Sequence, residues 1–558
     1  MQKRSMLFRA TALSVAAALA ACGGGGGDEA APVAGPAPAS LSLTGTASVG
    51  AALASAAVSV KCVGGSGSAT TAADGSFSVA ITGASLPCVL SVSSGSTTLR
   101  SVAEAGSATS AVANITPLSE LIVARLAGGD AASLFNNFDA AAQAKLGATG
   151  LSDARTAVTA ALKGVIDLTG VDPIKSALVA ASTGKEGNAL DKQLDALGLA
   201  LKAAGTDIAA VAAAIQANGT APAVVQTLLQ PVAASCAGLR SGKYRLLDAY
   251  AGSIAAATAL VSIDAVKGEY TTAGVTKSFK AAEGSACQFV LPEGAGTAYV
   301  AASGLMVLRY LESPNVARAA VLLPEQSVPV AELAGNWNIL TYGAEVAGGT
   351  LTPGYSTETL DATGKTTAGA DCKGTVCEAW TPQASDVFAA DAAGGFTVSD
   401  PDGSKARVFA FKTAGGQISL LGLMFDAKGL PLGLVAAAKQ SALGLPQVGD
   451  VLKFWDAEVN WSGISSPTDV EMTVTAVDTA AKTSTRKRKS DGRVDTFAVN
   501  SPRDGLRYRA FGSSVLDNGT TLNFAESTTL PLPGTGISVS SGFTRSGGSH
   551  FTVTVAKP

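Results

Sequence analysis

His550 is the only histidine in a chain of 558 residues. One imidazole cannot supply Ser-His-Asp, Cys-His or multi-histidine metal chemistry unless it serves alone. Set near the C-terminus, it reads as a solvent-facing residue of a last strand. No Gly-x-Ser-x-Gly elbow, Walker loop or dinucleotide fingerprint occurs. Ser484-Thr485-Arg486-Lys487 matches Ser-x-x-Lys by letters, but it falls in a predicted strand and lacks companion motifs. The 43 acidic residues leave one enzymatic class open. A carboxylate pair about 5–10 Å apart, with one member's pKa raised, would hydrolyse glycosides, and sequence alone selects no pair. Asp400-Pro401-Asp402-Gly403-Ser404 resembles the start of a calcium loop in composition, yet Lys405 and Ala406 follow where oxygen ligands are needed. It reads as an exposed hairpin turn. Arg486-Lys487-Arg488-Lys489 is the one dense basic run. On a strand its side chains alternate faces, so it reads as an edge strand guarded by charge, with contact to lipid phosphates or acidic polysaccharide as the alternative. No catalytic residue, metal-ligand set or cofactor is assigned.

Seven cysteines occur, at Cys22, Cys62, Cys88, Cys236, Cys287, Cys372 and Cys377. The first closes the stretch Leu19-Ala20-Ala21-Cys22. Before it, Lys3, Arg4 and Arg9 bring positive charge, and residues 10–21 are apolar or small and too few to span a bilayer. Residues 1–21 are therefore expected to be a signal peptide. Leu-Ala-Ala-Cys resembles the lipobox of bacterial lipoproteins. That resemblance implies that Cys22 receives a diacylglycerol, becomes the first mature residue and carries acyl chains. Gly23 stands where an Asp retains some lipoproteins in the inner membrane, so the resemblance points to the outer membrane. One acyl chain holds a protein only marginally, whereas several hold it firmly. A plain secretory signal followed by an ordinary cysteine is the alternative.

An exported chain meets an oxidising compartment. With Cys22 acylated, six cysteines remain, and proximity pairs Cys62 with Cys88, Cys236 with Cys287, and Cys372 with Cys377. Zinc ligation, the other use of cysteine, needs close CxxC pairs or neighbouring histidines, and neither is present.

The elements that must position these residues follow from composition and period. The chain holds 40 basic and 43 acidic residues, and loss of Lys3, Arg4 and Arg9 with the signal leaves a net charge of −6. That balance argues against general nucleic-acid binding. Residues 22–40, with five successive glycines and an Ala/Pro stretch, read as a flexible tether. Residues 41–115 carry short, partly alternating strands around an Asp74-Gly75 turn. Gly45-Thr46-Ala47, Ala56–Val60 and Asp74-Gly75-Ser76-Phe77 resemble the carboxypeptidase regulatory-like family, whose members are small transthyretin-like β-sandwiches. The resemblance implies a structural module in which Cys62 and Cys88 staple two strands, and no activity.

At Thr116-Pro117 the period changes: Thr suits a helix cap and Pro a first turn. Residues 116–235 are Ala-rich, with Leu190, Leu194, Leu197 and Leu201 on one face, and read as a helical bundle. From 236 onward the pattern is β and repeats: an apolar strand, a Pro and acidic-Gly turn, then a second strand recur near Phe289, Phe396 and Phe497. Gly242-Lys243-Tyr244-Arg245 echoes Gly335-Asn336-Trp337-Asn338. These echoes divide the region into β units at 236–330, 331–445 and 446–558.

Gly335-Asn336-Trp337 is similar to the Gly-x-Trp of lipocalins, which makes Trp337 a candidate to border a ligand cavity, with an ordinary core tryptophan as the alternative. The sequence thus predicts a multidomain, mainly β protein with a helical middle: an N-terminal β-sandwich, an Ala-rich bundle and a C-terminal repeated antiparallel region. Its expected role is non-enzymatic binding or scaffolding in the cell envelope. The membrane would be reached through lipid on Cys22, the further partner would be an envelope protein or polysaccharide, and no nucleic acid is expected. A glycan hydrolase and a lipocalin-like carrier of a small apolar ligand are the alternatives.

Overall fold

The computed structural model describes residues 40–181, 184–219, 221–460, 463–543 and 548–558. Cys22, the signal and the tether up to residue 39 lie outside the described residues. The fold is mainly β with a helical middle, as the alternating and 3.6-residue periods require.

The N-terminal part is two small sheets face to face. Ser40–Thr46 pairs with Ser76–Thr82 and Ser110–Val112, while Ala57–Val63 and Ser85–Ser94 lie centrally in a four-stranded sheet. Leu41, Leu43, Phe77 and Val79 meet Val58, Val60, Leu90 and Val92 in the core. Asp74 accepts from Ser76 N at 3.0 Å, and Gly75 takes φ +80°, where an added Cβ would lie 2.4 Å from Ala47 O. Cys62 and Cys88 sit opposite each other on paired strands and are bonded.

Thr116 then caps the helix Pro117–Ala127, exchanging hydrogen bonds with Ser119. Six longer or shorter α-helices follow among the described residues before 230. The leucine face of Ala189–Ala203 buries Leu190, Leu194 and Leu197, whereas Leu201 is only half-buried. Sandwich and helices share one apolar core, and Arg100 on a sandwich strand pairs with Glu120 on the first helix at 2.7 Å.

The remaining chain forms three large antiparallel sheets, covering Gly242–Pro324, Gly335–Lys439 and Val451–Ala556. Counted from its own first strand, each of the first two has nine strands in the order 4-3-2-1-9-8-7-6-5. The first strand therefore pairs with the last, and the edges are the fourth and fifth strands. In the first sheet those edges, Val275–Ser278 and Lys280–Ala281, are separated in the chain by Phe279 alone, so the sheet must curl until its edges meet. Both are barrels with one unpaired seam. In the third, Val451–Asn460 pairs with Thr468–Asp478 on one side and Ser549–Ala556 on the other, which closes the barrel.

The repeat is close in the first two barrels. Gly242 and Gly335 each open a first strand at φ +142° and +131°, a backbone state that favours glycine. The hairpins Gln288–Val290/Gly296–Val300 and Phe396–Ser399/Lys405–Lys412 occupy the same sixth and seventh positions. The hairpin of Val494–Val499 and Arg507–Arg509 does not fall at that place in the third barrel's order.

The barrels pack through their outer faces. Leu247 and Val307 of the first, Leu421 and Ala436 of the second, and Ile537, Val539, Phe551 and Val553 of the third surround one small void of about 30 Å³. Tyr299 meets Trp455 at 5.3 Å between ring centres, and Tyr342 stacks on Phe551 at 5.2 Å. Phe551 belongs to the third barrel and its stacking partner to the second. Truncating Phe551 to Ala is expected to cost about 3–5 kcal/mol. Denaturant unfolding should show that loss, and the cost of Tyr342→Ala on top of it should fall short of additivity.

Candidate functional site

The interior of the first barrel holds the site. Its register puts Leu246 opposite Leu322, Met306 opposite Leu322, and Ala298 opposite Leu308, with all of these on one face of the sheet. Val261, Ile263, Tyr270 and Phe289 continue that face round the barrel. Because the sheet curls, the face becomes a lumen, and its side chains do not fill it. A cavity of about 170 Å³ remains, lined by these residues together with Leu239, Thr272, Phe279, Leu291 and Val300. Only Tyr270 and Thr272 carry side-chain polar atoms in the lining. Phe279 and Phe289 meet edge to face at 5.3 Å within it.

The cavity end beside Tyr244 and Val300 is covered by the strand Cys236–Arg240, which precedes the barrel in the chain. Cys236 is bonded to Cys287 across 51 residues. The Tyr244 hydroxyl donates to Arg240 O at 2.8 Å, and Val300 N donates to Cys287 O at 2.9 Å. Gly238 lies so close that an added Cβ would be 2.3 Å from Ala301 O. Arg240 in turn donates to Ala204 O, Leu228 O and Gln230 O, tying this cover to the helices.

An apolar cavity of this size stays dry and admits a benzene-sized molecule. Its lining lacks contact atoms on one side and loses dispersion energy there. An apolar occupant would restore those contacts and remove about 0.8 kcal/mol per methylene from water.

The residues singled out by sequence scatter over the fold. Trp337 is fully buried in the second barrel, among Leu333, Leu360, Phe396 and Leu420, and its indole N–H donates to Leu333 O at 2.7 Å. It does not line the cavity of the first barrel. Cys372 and Cys377 are bonded between paired strands of the second barrel. Three disulfides join the six cysteines of the described residues, and such bonds mark an exported chain. The Asp400–Ser404 segment is a hairpin turn: Asp402 accepts from Ser404 N at 2.9 Å, and Gly403 takes φ +90°. Glu358 faces Asp371 and Asp386, and burial first, then those acids, push its carboxyl above the usual range.

Two expectations are corrected. Thr483–Arg488 is paired on both sides inside the closed barrel, so the basic run is not an edge strand. Its alternation sends Arg486 inward, while Lys487 reaches Asp517 at 3.1 Å. His550 is not solvent-facing. It is largely buried inside the third barrel with its Nδ1 unpartnered.

Burial, with the charge of Arg509, lowers the His550 pKa to about 4, below the usual 6.5. The unfolded chain then binds a proton that the folded chain refuses. Its contribution to stability is present above pH 6.5 and is lost as pH falls toward 4. His550→Gln should flatten the melting temperature over that window relative to the parent, as read by thermal scans at stepped pH.

No known family profile matches the chain, and no curated protein matches it. Solved structures give partial likenesses. A transferrin-binding protein B mutant from Haemophilus parasuis aligns at 9% identity over 53% of this chain and 65% of that chain, with a TM-score of 0.20. Transferrin-binding protein B from Neisseria meningitidis aligns at 13% over 54% and 58%, with a TM-score of 0.18. A protein of unknown function from the DUF3598 family of Nostoc punctiforme aligns at 12% over 42% and 100%, with a TM-score of 0.15. The chain spans less than two-thirds of the length of either transferrin-binding protein. The fold assignment rests on the strand pairings themselves.

Proposed function

We propose that the chain is a lipoprotein of the bacterial outer membrane, held by acyl chains on Cys22, whose work in the envelope is binding and not catalysis. In this reading the first barrel takes a small apolar ligand in the manner of a lipocalin. The cavity inside that barrel carries the proposal: a lumen of about 170 Å³ with an almost wholly apolar lining. Pockets built for orientation and chemistry converge several polar groups on the ligand. This one offers a hydroxyl at Tyr270 and another at Thr272. The anchor rests on the Leu19–Cys22 stretch, and the glycine-rich segment after it supplies reach.

The small aromatic fluorophore indole, close to benzene in size and followed by calorimetry, reports on the cavity. It should bind the parent saturably, and Ala298→Phe, which fills the lumen from the strand Gly296–Val300, should weaken it by about tenfold or more. Unchanged binding by Ala298→Phe with an unchanged melting temperature would place the fluorophore elsewhere and remove the ligand reading. Removing the cover gives a second check. Cys236→Ser with Cys287→Ser is expected to cost about 4 kcal/mol for a closed loop of this length and to weaken the fluorophore together with the melting temperature. For the anchor, intact-mass analysis of the exported product should show acyl chains on Cys22. Cys22→Ser should move the protein from the membrane to the soluble fraction.

A further inference from the structure

The third barrel shares an apolar outside with the first but carries charge within. Trp455, Leu530, Ile537, Val539, Phe551, Val553 and Val555 point outward into the core shared with its neighbours. The opposite face lines the lumen, and register fixes who shares it. Arg486 lies opposite Asp495, and Ser484 opposite Phe497. Arg507 lies opposite Val499 and Thr529, and Arg509 opposite Ser527. The Arg486 and Arg509 guanidiniums lie 5.0 and 5.9 Å from the centre of the Phe497 ring, which confirms that they converge.

The charges in this lumen do not balance. Asp495, 1% exposed, is shared by Arg493 at 2.9 Å and Arg509 at 2.7 Å. Arg488 is held by Asp491 at 2.5 Å. Asp456 accepts from Thr554 at 2.8 Å and feels Arg488, Arg493 and Arg509. Arg486 and Arg507 have no hydrogen-bonded carboxylate among the described residues, and the Nε of each is buried without a partner. Five guanidiniums therefore face three carboxylates. Arg486 is 8% exposed, and the Ser484 hydroxyl two residues before it is fully buried and also unpartnered. Burial and the neighbouring Arg486 charge lower the Arg507 pKa to about 9. Burying unpaired charge is costly, and such groups are retained where a partner neutralises them.

We propose that the lumen of the third barrel is a binding site for a doubly charged oxyanion, a phosphate or phosphoryl group, held by Arg486 and Arg507 with the Ser484 hydroxyl. Guanidinium forks match the oxygens of such a group in pairs. Two unneutralised cations match its charge. His550, neutral at ordinary pH because it is buried beside Arg509, adds no charge to the balance. The site is separate from the apolar cavity of the first barrel, and either stands without the other.

The test uses the full exported protein. Inorganic phosphate should raise its melting temperature saturably, while chloride and acetate at matched ionic strength should not. Arg507→Met with Arg486→Gln should weaken phosphate by about tenfold or more. The double variant removes unpaired buried charge, so it should melt no lower than the parent without phosphate. Vesicles of phosphatidylcholine with and without phosphatidic acid, whose headgroup is a phosphomonoester, distinguish the source of the group when mixed with full-length parent and double variant that also carry Cys22→Ser, so that no acyl chain on Cys22 holds either to the bilayer. Retention on the anionic vesicles that the double variant loses assigns a lipid headgroup, and response to inorganic phosphate alone assigns a free oxyanion. The proposal is overturned if neither probe binds the parent, or if the double variant keeps the parent's response to the probe that binds.

Discussion

The outward apolar faces of the three barrels, buried against one another, constrain everything else in the C-terminal half. A closed or nearly closed sheet has an outside and an inside, and strand residues alternate between them. Here the outside is used for assembly: Leu247, Leu421 and Phe551 come from three different barrels and meet at one void. Once burial between barrels is secured outside, the inside of each is free to differ. The first barrel leaves a cavity with an almost wholly apolar lining. The second is filled by Trp337 and its neighbours. The third carries arginines and aspartates within.

That division explains what could be read from the residues alone. The mainly β class, the helical middle, the Thr116 cap, the Asp74-Gly75 turn and the cysteine partners all depend on local chemistry or near neighbours, and each was legible. The echo of Gly242 with Gly335 was legible for a physical reason too, since both begin a first strand at positive φ. The likeness of the Phe497 segment to the hairpins near Phe289 and Phe396 misled, because a Pro and acidic-Gly turn marks a hairpin and not its place in a barrel.

The sites were hidden because they are properties of closure. Met306–Ser313 and Val316–Pro324 are apolar at successive positions, so no alternation says which side chains face a lumen. The cavity exists only because the first strand pairs with the last, some 80 residues away in Tyr244 and Pro324. The third barrel closes through Asp456 and Thr554, farther apart still. Without that closure, Arg486 to Lys489 had the composition of an exposed margin, and Arg507 and Arg509 had no visible connection to it.

The unpaired seam of the first barrel has a mechanical meaning. Its two margins are joined through Phe279 and share no strand-to-strand ladder. Spreading them breaks side-chain contacts and leaves every paired strand intact. Phe279 borders the cavity, so the direction in which this barrel can breathe at least cost leads straight into its lumen. The third barrel, laced all the way round, can be entered only through its ends.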